Sequence, residues 1–308
     1  MQTITFTCEV ITPMFLAGAD GTTPELRPAS IKGALRFWWR AMNGHLEWKK
    51  MLELEGKIFG NTQQRSNLII RIEQDLGKTS KGSLLPHKGG SLTPCFPKSD
   101  ESFIVKFSLT KIENDFTLES IKALFILTSI LGGLGKRSRR GFGSFKITKI
   151  NTNNTIDLNF AMPRTIDDIH KLLPKNYFTL SNGKISSNFS RNEAYPHIKT
   201  IEFGKSFDDV PLGIISASHK VKEAEYLKAK ESAEKKNDFI DGNKNKPNVK
   251  KYSDFEAAIG DGARRYASPI YISTLGNQPI ITTLNHVPPS RVFPSHVTLQ
   301  NELKNKLK

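Results

Sequence analysis

The stretch Ile4-Thr5-Phe6-Thr7-Cys8-Glu9-Val10 alternates apolar and polar side chains without a slip. A period of two puts Ile4, Phe6, Cys8 and Val10 on one face of a β-strand, and the threonines and Glu9 on the other. The same rule finds its companions. Leu68, Ile70 and Ile72 alternate, Phe103, Val105, Phe107 and Leu109 do so more strongly, and Phe145 to Ile150 supplies a short last strand. Two helical patterns lie between them. Ile31, Leu35, Trp38 and Met42 recur at helical spacing behind Ser30, which stands where an N-cap should stand. Leu118 to Leu131 is apolar nearly all round, as a well-buried helix must be, and stops at Gly132 and Gly133. The order is βαββαβ over residues 1 to about 150, the split-βαβ or ferredoxin-like motif also found in RRM domains.

Beyond this unit the polar run Asn151 to Thr155 reads as a boundary and the pattern weakens. A helix is expected near Ile166 to Leu173, a strand near Ile198 to Phe203 and a long helix from about Val210. Strands near Ile270 to Thr274 and Ile280 to Leu284 and a terminal helix from His296 complete the chain. The expected fold is α+β with two ferredoxin-like domains, residues 1–150 and 151–308, the second degenerate. The segments Gly77 to Asp100 and Lys235 to Lys251, poor in apolar residues, are expected to be loops that reach a neighbour.

The 308 residues carry 45 Lys and Arg against 30 Asp and Glu, a net charge of +15, which makes a polyanion the leading partner class. At 37% hydrophobic residues with 19 Phe, the chain is too apolar for a disordered basic tail. Cys8 and Cys95 form no C-x-x-C pair, which removes zinc ribbons and disulfide scaffolds and suits a reduced compartment. The N-terminus lacks the charged lead and apolar block of a signal peptide, and the apolar run Ala123 to Leu131 is about half the ~20 residues of a membrane span. A soluble, cytoplasmic chain is expected.

On the first helix Lys32, Arg36 and Arg40 fall within an arc of about 80°, apart from the apolar stripe. An anion across them, such as successive phosphates, explains the clustering; a solvated basic face with carboxylate partners is the competing reading. Gly33 permits close approach of a ligand, and the amides after Ser30 offer a positive dipole end to a phosphate. Trp38 and Trp39 cannot both face one core, so one is either a stacking surface or packed on the second domain. The densest signal is GGLGKRSRRGFGSFK from Gly132 to Lys146, with five glycines, five cations and no acid. Such a loop can present N–H groups as an anion nest while Lys136, Arg137, Arg139 and Arg140 meet a phosphate backbone. A Walker A register fails at Ile130 and Arg137, and Arg140-Gly141-Phe142-Gly143 matches the RRM signature only in part, with Ser144 where an aromatic is required.

FLAGAD at Phe15 to Asp20, ELRPASIKGALRFWWRA at Glu25 to Ala41, IFG at Ile58 to Gly60 and the GLGKRSRRGFGSF loop together resemble the RAMP superfamily. Among its branches the first subunit of the Cmr complex, the type III-B CRISPR effector, is most similar, and ARRYASPIYI at Ala263 to Ile272 resembles that subunit's second half. The resemblance implies two ferredoxin-like domains and a place near the 3′ end of a guide RNA. The implied partners are guide and target RNA and other Cmr/RAMP subunits, with no cofactor. The implied RNA contacts are Arg27, Ser30, Lys32, Gly33, Arg36 and Arg40 on the helix, and Gly133, Gly135, Lys136, Arg137, Arg139, Arg140, Gly141 and Gly143 in the loop. No catalytic residue is implied.

Some relatives of this superfamily are metal-independent endonucleases that process guide precursors with a histidine, and His45 is the candidate for that alternative. It has no evident Tyr or Lys constellation beyond Lys49 and Lys50 in the sequence. His87 with Cys95 is too sparse for a metal site, and Asp20 reads as a turn residue. GGDD-type cyclase motifs and HD nuclease pairs are missing, and no helix-turn-helix, zinc finger or basic zipper points to duplex DNA.

Overall fold

The computed structural model describes residues 2–84, 92–111, 116–189, 195–236, 269–285 and 294–308. His87, the segment 237–251 and residues 263–268 lie outside them. Gln2–Val10 (β1), Leu68–Gln74 (β2), Ser102–Leu109 (β5), Phe145–Thr152 (β6) and Thr155–Ile156 (β7) form a five-stranded antiparallel sheet in the order β2-β5-β1-β6-β7. Ser80–Ser83 (β3) and Leu92–Cys95 (β4) form a small separate ribbon within the predicted loop. The alternation holds in detail: Ile4, Phe6, Cys8 and Val10 are buried, and Phe6 meets Phe107 and Phe125 with ring centroids 5.5 and 4.7 Å away.

Three helices follow in this half: Pro28–Met42 (α1), Trp48–Phe59 (α2) and Leu118–Leu131 (α3). Proline's fixed φ and missing N–H suit a first helical position, so α1 begins at Pro28 with Arg27 as N-cap. Ser30 is therefore a third-position residue and not the cap that its spacing suggested. The sequence pattern does not reveal α2. Its N-terminus is capped by the Glu47 carboxylate, which accepts the Lys49 and Lys50 amides at 3.0 and 3.3 Å. Its buried face runs Met51, Glu55, Ile58 and Phe59, and a glutamate inside the stripe conceals the apolar periodicity.

Helix α3 carries a Thr117/Ser120 capping box and packs on β1 and β6 on one side and on the second sheet on the other. Its buried hydroxyls bond within the helix, Thr128 to the Leu124 carbonyl and Ser129 to that of Ile126, both at 2.7 Å.

The second half holds Ile166–Leu172 (α4), Phe178–Ser181 (β8), Lys184–Ser187 (β9), Ile198–Phe203 (β10), Val210–Lys236 (α5), Ile270–Leu275 (β11), Gln278–Leu284 (β12) and Pro294–Leu307 (α6). The sheet order is β11-β12-β10-β9-β8, antiparallel throughout. β10, α5, β11, β12 and α6 run βαββα, while the place beside β10 is filled by β9 from a preceding hairpin. That hairpin turns at Asn182-Gly183, both at positive φ, a two-residue turn signal that the sequence carries and the periodicity alone does not show. One face of this sheet joins the main core through Ile185, Ile201 and Ile280, and the other is covered by Val210, Ile214, Leu303 and Leu307 of α5 and α6.

Candidate nucleic-acid interface

Helix α1 turns Lys32, Arg36, Arg40, Gly33 and Phe37 outward along one strip. Two of its three cations have a counter-ion that the linear sequence hid. Glu55 of α2, 2% exposed, takes Arg36 Nε on one oxygen at 2.5 Å and faces Arg40 Nε with the other at 3.3 Å. Among the described residues no carboxylate pairs with Lys32, and burial followed by the Arg36 charge pulls its ammonium below the usual lysine range.

Lys32 and Arg36 instead border an open groove of about 880 Å3 floored by Phe59, Leu68 and Ile70. Its far bank is Arg65, on a loop shaped by Asn61, whose side-chain oxygen accepts the Gln63 and Gln64 amides at 2.9 and 2.8 Å. Arg65 is a cation that the sequence pattern did not single out; its place just beyond the IFG stretch was the available signal. Arg27 lies 3.9 Å from Glu25, Ser30 is partly exposed, and a Cβ at Gly33 would meet no atom within 4 Å. Because that position is open, Gly33→Ala is expected to stabilise α1 by about 1 kcal/mol. Paired melting curves of the variant and the parent would check this.

The glycine-rich loop is built differently from an anion nest. Its amides turn inward: Leu134 N–H donates to the Gly143 carbonyl at 2.9 Å, Lys136 to Phe15 at 2.9 Å, Gly141 to Ile272 at 2.8 Å and Gly143 to Pro13 at 2.9 Å. Its glycines are required by space. Gly135, Gly141 and Gly143 have φ of 90°, 82° and 70°, and a Cβ on Gly133 would lie 2.8 Å from the Phe142 carbonyl oxygen.

The loop cations divide into two sets. Lys136 and Arg137 are exposed. Arg139 lies over the rings of Phe37 and Tyr271 at 5.3 and 5.4 Å, and Arg140 donates to the carbonyls of Arg139 and Ile270 at 2.9 and 3.2 Å. Burial, with Arg139 and Arg137 adding to it, brings the Arg140 guanidinium down to about 10. Arg139 and Arg140 thus bind the two sheets together, and Arg139 ties the loop to the end of the α1 strip.

Both tryptophans are buried, and of the two expected fates one is packed on the second half of the chain rather than left as a stacking surface. Trp38 packs on Tyr271 of β11 at 5.0 Å, and Trp39 on Phe59 of α2 at 6.1 Å. The outward face of the first sheet shows Thr3, Thr5, Thr7, Ile104 and Lys106 and, among the described residues, no aromatic ring on which a base could stack as on an RRM.

His45 does acquire a tyrosine and a lysine: Tyr177 and Lys175 share with it a cavity of about 670 Å3. The tyrosine, however, lies flat on the imidazole at 3.5 Å and 6°, and among the described residues the buried Nδ1 has no hydrogen-bond partner. Burial lowers the His45 pKa, so the folded state favours the neutral ring. That contribution is complete above the unfolded value near 6.5 and is lost as pH falls through the lower folded value. His45→Phe should flatten the loss of stability as pH falls below about 6.5, measured as Tm against pH. Among the described residues there is no cluster of three metal-ligating side chains, and no helix is long and apolar enough to cross a membrane.

Residues 7–146 match the model of the RAMP superfamily. The chain is 30% identical over 185 residues to the CRISPR system Cmr subunit Cmr1-2 of Pyrococcus furiosus, covering 46% of this chain and 93% of that protein. The chain belongs to the RAMP superfamily, in its Cmr1 branch. With Cmr1-1 of the same organism it shares 29% identity over 199 residues, 58% of either chain. The fold of this RAMP protein is similar to that of apo Cmr1 from P. furiosus, with a TM-score of 0.55 at 19% identity over 98% of this chain and 96% of that one. It is also similar to a chain of the Type III-B Cmr-beta complex bound to cognate target RNA, with a TM-score of 0.58 at 12% identity over the full length of both.

Proposed function

We propose that this RAMP protein is a non-catalytic RNA-binding subunit of a type III-B CRISPR effector complex, working in the cytoplasm beside other Cmr subunits. In that place it meets guide or target RNA near the guide's 3′ end. The observation that carries this reading is the 30% identity extending over 93% of a Cmr1 subunit. The exposed basic strip of α1 supports it. Two ferredoxin-like units dividing near residue 150 are part of the proposal, supported by the order β2-β5-β1-β6 within the first sheet, to which β7 adds a short fifth strand at residues 155–156, and by the βαββα run of the second half.

Within the wider set of helix and loop positions, Lys32, Arg36, Arg65, Lys136 and Arg137 are the cations that present charge to phosphates, with Gly33 as the point of closest approach. Arg139, Arg140 and the loop glycines act by holding that surface in shape. The non-catalytic reading is supported by the packing of His45, whose ring lies flat against Tyr177.

The test is a binding titration of end-labelled single-stranded RNA of ~40 nucleotides against rising salt, with DNA competitor, followed on native and denaturing gels. Lys32→Ala/Arg65→Ala/Lys136→Ala is expected to weaken RNA binding at moderate salt. Each phosphate-binding cation removed should flatten the salt slope by about one unit or less. Unchanged affinity, or discrete cleavage in EDTA that His45→Ala abolishes, would overturn the reading.

A further inference from the structure

A second cavity, of about 430 Å3, lies in the seam between the two sheets and is separate from the α1 strip. Three cations from different parts of the chain are among the residues that line it, all three exposed: Lys98 after β4, Lys146 near the start of β6 and Arg164 before α4. No carboxylate stands among the described residues that line it. Lys146 is committed to Glu9 at 2.7 Å, whereas among the described residues no carboxylate pairs with Lys98 or Arg164. Cations that line one cavity without a carboxylate among them are stable only where solvent or an anion shares the space.

The rest of the lining is not that of a bare phosphate site. Phe145, Met162 and Leu275 give it an apolar wall, to which β11 adds the buried Thr274 and the β11–β12 turn the exposed Asn277. The Asn277 side chain offers one donor group and one acceptor at the edge of that wall. A lining that combines cations, apolar side chains and an amide has the chemistry to complement one nucleotide. The volume falls in the range of small-ligand sites and is too small for a run of several nucleotides.

We propose that this seam cavity binds a single nucleotide carrying a terminal phosphate, held by Lys98 and Arg164 with its base against Met162 and Leu275. The shared chemistry is a phosphate monoester on a nucleoside, and its source is either a free mononucleotide or the phosphorylated end of an RNA strand. Since Lys98 and Lys146 belong to the first half and Thr274 and Asn277 to the second, the ligand would bridge them. Occupancy should therefore raise the melting temperature of the full chain.

The experiment uses the full chain in calorimetric titrations and melting curves with AMP, GMP, CMP and UMP, with adenosine and inorganic phosphate as partial ligands. A second arm uses short RNAs bearing 5′-phosphate, 3′-phosphate or hydroxyl ends. The expected result is saturable binding of a mononucleotide, at least tenfold tighter than adenosine. Lys98→Ala/Arg164→Ala should lose at least tenfold while melting at the same temperature without ligand. If instead only a phosphorylated RNA end gains tenfold over its hydroxyl form, and the gain vanishes in that variant, the proposal holds with RNA as the source. The absence of any phosphate-dependent binding, or its survival in the double variant, would overturn it. Lys32→Ala/Arg65→Ala, which tests the α1 groove, should leave mononucleotide affinity unchanged. Its loss there would move the nucleotide out of the seam and equally sink the assignment.

Discussion

Arg36→Ala/Arg40→Ala is expected to cost about 3 kcal/mol in chemical denaturation, far more than two surface substitutions should. Both guanidiniums serve one carboxylate, and Glu55 is 2% exposed. Removing the pair strands a buried charge between α1 and α2, and the low end of the usual range applies because the arginines themselves reach water. Adding Glu55→Leu should restore most of the loss, since an apolar side chain of similar size needs no partner. Glu55→Gln is the informative complement. It keeps the shape, frees two cations and should tighten RNA binding with a steeper salt slope. Denaturation curves of the double and triple variants decide the matter; a double variant as stable as the parent would mean that solvent already reaches Glu55. The same pairing makes Lys32, Arg65 and Lys136 better probes of RNA binding than Arg36, because their removal leaves no buried partner behind.

Gly143→Ala should be at least as damaging, at about 3 kcal/mol or more. Gly143 has φ of 70°, where an L side chain costs about 1–2 kcal/mol by itself. Its Cβ would also collide with the Leu134 carbonyl oxygen. The backbone cannot step aside cheaply, because the Gly143 carbonyl accepts from Leu134 N–H and its own N–H donates to Pro13, both at 2.9 Å. Any shift passes to Arg139, Arg140 and Gly141, which hold β11. Urea denaturation should therefore show the destabilisation together with a changed near-ultraviolet signal from Trp38, which packs on Tyr271 of that strand. A variant within about 1 kcal/mol of the parent would mean that the loop has room to relax.

Strands β1, β2, β5 and β6 and the all-apolar α3 were legible because the clearest of them have a single environment, one buried face for β1 and β5 and burial all round for α3, whereas β7 fell where the polar run Asn151 to Thr155 read as a boundary. Helix α2 was not, because Glu55 breaks its stripe and is tolerated only through arginines on another helix. For the same reason the cationic arc on α1 was visible as a cluster, while its neutralisation stayed hidden. The loop's glycines were recognisable as backbone necessities, yet the target of the freed amides was not. Whether an N–H points to a phosphate or to the carbonyl of Phe15 depends on chain packing that local sequence does not encode. Tyr177 beside His45 was equally out of reach, joined across more than a hundred residues by folding alone.

The attachment of the loop to β11 also settles how the second sheet ends. Arg140 runs parallel to Ile272 in a bridge closed by Ile272 N–H to the Arg139 carbonyl at 3.2 Å and Gly141 N–H to the Ile272 carbonyl at 2.8 Å. An open strand margin is a template for pairing with a foreign strand, and here the protein's own chain occupies part of it. The opposite margin, β8, is four residues long; the first sheet ends in the two-residue β7 and in β2, whose register shifts between Ile72 and Gln74. Among the described residues, such a molecule offers little open margin for strand exchange or runaway aggregation.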